Sequence, residues 1–139
     1  MIEQQTLGLA EAEKAVTAMT EEASKGGRPM SMAVVDAWGN LISFARMNGA
    51  SPLTARMAIN KAYTAASFGI DTRNVNQWFK DAGKDVAWYD DHRLTVIHGG
   101  VAIRTKEGTL VGAIGTSGRH EDEDEALALV GKKALEDDI

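Results

Sequence analysis

Arg46 closes the run "LISFAR" and Lys61 sits inside "INKAYTAASFG", and each brings a cation to an otherwise apolar setting. Arginine presents a planar fork that matches a carboxylate, and lysine a compact point charge. Together they would make a cationic pocket for a ligand that carries carboxylates, set between a small-residue helix and a sheet. The plain alternative is that both side chains snorkel from the edge of a core, or that one of them pairs with Asp36. His98 stands directly before Gly99 and Gly100. An imidazole can ligate a metal or pass a proton, and two glycines beside it would leave backbone room for a planar ligand. A loop histidine is otherwise simply solvated, which is the reading for His92 in "YDDHRL".

The stretch "GTLVGAIGTSGRHEDEDEA" places Gly112, Gly115 and Gly118 before five consecutive acids. A phosphate-binding loop needs a Lys-Ser or Lys-Thr pair after its last glycine, and here Arg119-His120 and then the acids follow. Those carboxylates would repel the anion, so Gly112 and Gly115 are read as points where another backbone or a flat ligand approaches the strand. The acids suit the positive end of a helix dipole as a solvated face. His120, Glu123 and Asp124, three and four residues apart, form the sharper alternative of a metal site with a single histidine. Thr116 and Ser117 lack a nucleophile elbow, because "GTSGR" has the wrong spacing, and are read as hydrogen-bonding groups near a strand end.

These groups fall on recognisable elements. "TLGLAEAEKAVTAMTEEASKGG" carries apolar residues at helical spacing, with Thr6 as the expected N-cap and Gly26-Gly27 as the stop. "MSMAVVDAWGNLISFARM" reads as two strands joined at Gly39-Asn40, with Leu41, Ser43, Ala45 and Met47 on one face and Ile42, Phe44 and Arg46 on the other. "ASPLTARMAINKAYTAASFG" has a Ser51 cap, Pro52 in the first turn, a Gly69 stop and a stripe of Ala55, Ala58, Ala62 and Ala65. A shorter helix follows in "DTRNVNQWFKDAG" with Val75, Trp78 and Phe79 buried. Then come strands in "LTVI", "VAIRT" and "TLVGAIGTS", the last two joined through "KEG", and a closing helix in "EDEDEALALVGKKALEDD". Trp78, Phe79, Trp88 and Tyr89 cluster where patterning is weak, and are assigned to subunit contact ahead of a hydrophobic wall or a lid. The predicted fold is α+β: a five-stranded, mainly antiparallel sheet flanked by helices, in one domain spanning 1–139.

Composition narrows the classes further. The chain has 139 residues, 44% of them hydrophobic and 25% charged, and a net charge of −5. That length suits a single core. The acidic balance argues against a nucleic-acid partner, which would need surplus cations to displace phosphate counterions. With no cysteine, disulfides, thiolate metal sites and a cysteine nucleophile are excluded. The first residues, "MIEQQTLGLAEAEKAV", lack the basic start and apolar middle of a signal peptide, so a cytoplasmic protein without membrane segments is expected.

Several segments at once, "SMAVVDAWGNLISFARMNGA", "INKAYTAASFG", "HGGVAIRTKEGTLVGAIGTSG" and "DEALA", are similar to the HbpS/GlcG family over roughly Leu7 to Leu135. That family covers haem-binding proteins and the C-terminal domain of PduO-type cobalamin adenosyltransferases. The resemblance implies a profilin-like layered domain with five antiparallel strands, assembly into a homo-oligomer, and haem binding, with a corrinoid as the other tetrapyrrole. It also implies a place beside glycolate, glycerol or propanediol metabolism. No adenosyltransferase domain is present, so that activity is not carried over. The PduO-type domain is understood to ligate haem through a histidine near its first helix. Here that helix has none, and the histidines are His92, His98 and His120. The expected ligand-binding set is therefore Arg46, Lys61, His98, Gly99, Gly100 and Thr116, with the cations on haem propionates and His98 as axial iron ligand. Two other functions fit the same residues: an enzyme acting on a carboxylate or hydroxy-carbonyl metabolite through Lys61 and His98, and a structural partner of a pathway enzyme.

Overall fold

In the computed structural model, which describes residues 1–139, one antiparallel sheet separates two helical layers. Its strands are β1 (Ser31–Asp36), β2 (Leu41–Arg46), β3 (Gly100–Arg104) and β4 (Leu110–Ser117), in the order β2-β1-β4-β3. Helices α1 (Leu9–Ala23) and α4 (Glu121–Ala134) cover one face, and α2 (Pro52–Phe68) covers the other. Helix α3 (Thr72–Ala82) and a short 3-10 turn, Val86–Tyr89, lead from α2 to β3. No helix is long and apolar enough to cross a membrane.

The two interfaces differ in chemistry. Under α1 and α4 the core is built of large side chains, among them Met19, Met32, Val34, Ile103, Ile114 and Leu127. Under α2 it consists of Ala33, Val35, Ala58, Ala62, Ala65, Ala66 and Ala113. Where residues are this small, main chain meets main chain. A Cβ on Gly115 would stand 2.0 Å from the Ala58 carbonyl oxygen, and one on Gly100 2.4 Å from that of Lys61. Gly100 and Gly115 pair across β3 and β4, so together they form a bare track on which α2 rests. The close-approach reading holds: at Gly115 the visitor is the protein's own helix, and at Gly112 it is the Val35 carbonyl oxygen of β1, 2.4 Å from where a Cβ would lie, with the Leu7 side chain.

The α2 boundaries follow the sequence: Ser51 accepts from the Thr54 amide, Pro52 opens the helix, and Gly69 closes it at φ 72°. The β1–β2 turn also does, with Gly39 at φ 84° and Asp36 Oδ1 accepting the amides of Trp38 and Asn40, each at 2.9 Å. Thr6 is not the cap of α1. Gly8 takes that position without a side-chain bond, and Thr6 Oγ1 instead accepts the Ala37 amide and donates to the Val111 carbonyl. In β2 a bulge opposite Val34 and Val35 breaks the alternation. Ile42 therefore joins Ala45 and Met47 against the large-residue core, while Phe44 stays on the α2 side.

The sheet has four strands where five were expected. The slot beside β3 is filled by the start of α3: Thr72 Oγ1 accepts the Gly100 amide at 3.0 Å, and Asp71 Oδ1 accepts that of Ala102 at 2.9 Å. With the Gly100 and Ala102 amides satisfied by side chains, β3 has no donor at either position for "LTVI". That segment runs as irregular chain, its Thr95 amide bonded to Thr64 Oγ1 of α2. It is anchored just upstream, where Arg93 lies over the Tyr63 ring at 4.1 Å and both Arg93 and Tyr63 donate to Asp91. Those donors hold the Asp91 carboxyl well below the usual carboxylate range.

Candidate functional site

Lys61 is 1% exposed and Asp124 2%, yet they are 63 positions apart and belong to helices on opposite faces of the sheet. The lysine leaves α2, passes beneath Gly99 at the head of β3, and meets the first turn of α4. There Nζ donates to the Thr116 carbonyl at 2.9 Å and to Asp124 Oδ2 at 3.0 Å. Asp124 Oδ1 accepts the Arg119 amide at 2.9 Å. The Thr116 hydroxyl lies between the Gly99 carbonyl, at 3.2 Å, and that of Asp124, and shares its one hydrogen between them. Burial pushes the Asp124 carboxyl up, against the pull of Lys61 and of the amides of Arg119 and Gly118. Gly99, at φ 126°, has no space for a side chain: a Cβ would meet the Thr116 carbonyl at 2.7 Å and Lys61 Nζ at 2.9 Å.

His98 lies immediately outside this knot. Its Nδ1 is buried and hydrogen-bonded to nothing, with Glu121 Oε2 3.5 Å away. A small tightening of that contact would fix the proton on Nδ1 and leave Nε2 with a free lone pair, the arrangement found behind many metal-ligating histidines.

The expected set thus divides. Lys61, Gly99, Gly100 and Thr116 come together, with His98 at their margin. Arg46 does not join them. It lies exposed on β2, the opposite edge of the sheet, and donates to the Ala50 carbonyl at 2.8 Å. The expectation that Arg46 and Lys61 converge on one cationic recess is corrected: Lys61 is neutralised inside the protein, with no open side for a carboxylate. Gly99 and Gly100 likewise leave no space for a planar ligand, because Lys61 and the α2 backbone occupy it. The hollows under the 3-10 turn, about 290 and 390 Å³, are lined by other residues, including Asp91, His92 and Leu94 in one and Phe79, Lys84 and Trp88 in the other.

The acid run is not one solvated face. Asp122 and Glu125 meet Arg73 of α3, Glu121 faces His98, and Asp124 turns inward. His120 caps α4, its Nδ1 accepting the Asp122 amide at 3.3 Å, while Asp124 turns inward onto Lys61, so His120, Glu123 and Asp124 do not gather into a metal site. Sequence reasoning offered Asp124 only as a candidate metal ligand and missed its role as the partner of Lys61. Its signal was present, since Asp124, Leu127, Ala128, Gly131 and Leu135 recur at helical spacing and all are buried. Of the aromatics, Phe68, Trp78, Phe79 and Tyr89 pack in edge-to-face and tilted pairs with ring centroids 5.0–6.4 Å apart; Phe79 is buried, but Trp78, expected to be, is exposed, and Trp88 is 68% exposed.

Sheet order, a glycine track under a small-residue helix and an inter-layer ion pair together define a small three-layer α+β protein with a histidine at the rim of its polar centre. A family described as haem degrading protein HbpS-like matches residues 7–133, and this chain belongs to it. Protein GlcG of Escherichia coli K12 is 31% identical over 102 residues, 73% of this chain and 74% of GlcG. A double mutant of HbpS from Streptomyces reticuli superposes with a TM-score of 0.86 at 32% identity, covering 97% of this chain and 90% of that one. PduOC, solved as a complex with haem, shares the fold at a TM-score of 0.83 and 23% identity, covering 93% and 94%.

Proposed function

We propose that this protein is a haem-binding accessory protein in which His98 is the iron ligand and Glu121 sets its tautomer. The observation that carries this reading is the buried, unpartnered Nδ1 of His98 facing a carboxylate at 3.5 Å. A histidine whose inner nitrogen addresses a carboxylate is suited to offer its outer nitrogen to a metal. The residues fit a porphyrin docked from the surface at His98, beside the exposed Ile97, and do not fit one enclosed between α2 and the sheet. When bound, haem would supply an iron centre able to take a histidine nitrogen and a second ligand. Of the protein's own residues, Glu121 would accept the Nδ1 proton in a hydrogen bond once the 3.5 Å contact closes, and Gly100 and Gly115 keep α2 sealed to the sheet. Family membership and the haem complex of PduOC support the choice of ligand. The pathway served, whether glycolate, glycerol or propanediol metabolism, rests on the family resemblance alone. Assembly into a homo-oligomer is part of the same proposal, with Trp88 offering an exposed aromatic for subunit contact.

Titration with haemin tests it. The wild-type protein is expected to give a saturable, sharpened Soret band. His98→Ala is expected to lose the histidine-ligated spectrum, and Glu121→Gln to bind about 10-fold more weakly, the lower end for loss of a ligand-orienting carboxylate. A His98→Ala protein with wild-type spectrum and affinity would sink the assignment.

A further inference from the structure

We infer that Lys61 and Asp124 are positioning residues for the His98–Glu121 pair, an inference that rests on the proposed role of His98. Both sides of the His98–Glu121 contact are tied to the same knot. On one side, the Gly99 carbonyl, in the residue next to His98, accepts the Thr116 amide at 3.0 Å and faces the Thr116 hydroxyl at 3.2 Å. On the other, Glu121 sits one turn before Asp124 in α4, so whatever fixes Asp124 fixes the helical turn from which the Glu121 side chain extends on the same face. Thr116 and Asp124 are in turn joined through Lys61 Nζ, which donates to both. Lys61 therefore ties the β4 end that holds His98's neighbour to the side chain of the helix turn that carries Glu121, beside the main-chain link that the Thr116 hydroxyl makes to the Asp124 carbonyl.

The choice of chemistry supports this. A buried ion pair is a poor stabiliser compared with apolar residues of equal volume, because desolvation offsets most of the attraction. What a pair with directed hydrogen bonds adds is register. Apolar side chains in its place would let the first turn of α4 slide by a fraction of an ångström, and a 3.5 Å contact is sensitive to that distance.

The test is the double variant Lys61→Met with Asp124→Leu, which removes both charges and fills the space. In apo protein, the ring nitrogen chemical shifts of His98 report its tautomer by NMR. In the wild type they are expected to show the Nδ1–H tautomer favoured, with Glu121 closing from 3.5 Å to hydrogen-bond distance, and in the double variant a more even mixture of the two tautomers. Haemin affinity is expected to fall about 10-fold, with denaturant stability equal to or above wild type. Should the double variant fail to fold, Lys61→Met alone is read for the same two outcomes. A variant that keeps both the wild-type tautomer and the wild-type affinity would overturn the inference and leave the pair a structural tie. Because the tautomer is read without haem, a wild-type protein that ignores haemin defeats the proposed function and leaves this inference to the NMR result.

Discussion

Asp124→Ala is expected to cost about 3–5 kcal/mol of folding stability, the range for removing one partner of a buried ion pair. The loss comes mainly from what remains. Lys61 would keep an ammonium at 1% exposure with only the Thr116 carbonyl to accept from it, and the Arg119 amide would lose its acceptor. Urea unfolding at neutral pH measures this directly. Lys61→Met is expected to cost less, because the stranded group is then a carboxyl that burial has already pushed up and that can neutralise itself by taking a proton.

The two variants should also separate by pH. In Lys61→Met the folded Asp124 lacks the cation that pulled its carboxyl down, so its folded pKa rises further above the unfolded value. Between those two values the folded state binds more protons than the unfolded chain. Stability then increases as pH falls from the folded pKa towards the ordinary carboxylate range, and decreases as pH rises. Asp124→Ala has no such group and should show no gain there relative to wild type. A Lys61→Met protein whose deficit is the same at pH 7 and pH 5 would contradict this account of the pair.

Gly115→Ala is the second large effect expected. Its new Cβ would lie 2.0 Å from the Ala58 carbonyl oxygen and 2.5 Å from the Ala62 amide nitrogen, both main-chain atoms of α2. No rotamer relieves that overlap, so the helix must lift by more than an ångström to reach an ordinary contact of about 3.4 Å. Lifting it opens voids beneath Ala58, Ala62 and Ala65 and drags Lys61 away from Thr116 and Asp124. A loss of about 3 kcal/mol, the upper end for overpacking, is expected, and a fall in Tm of about 10 °C in calorimetry. Gly83→Ala is the comparison. Nothing lies within 4 Å of its Cβ, so only the left-handed backbone at φ 65° is charged, for about 1 kcal/mol. Equal losses at the two positions would mean that α2 does not rest on the glycine track.

Local pattern by itself determined much of this protein. Capping by Ser51, the Pro52 start and the Gly69 stop placed α2 to the residue, because those signals act within one turn of the chain. The alanine stripe foretold close approach to a sheet, and the Asp36–Asn40 turn is specified by its own side chains. Family membership was equally legible, being carried by short motifs in order. Tertiary structure decided the rest. "LTVI" has strand composition but no ladder partner, since Asp71 and Thr72 reach the β3 edge from another part of the chain. Lys61 resembles a ligand-facing cation until Asp124 is seen to face it across the sheet. Periodicity reports which side of an element is buried. It does not report which buried group meets which, because that depends on how distant elements stack, and a charge is free for a ligand or spent on a partner only according to that stacking.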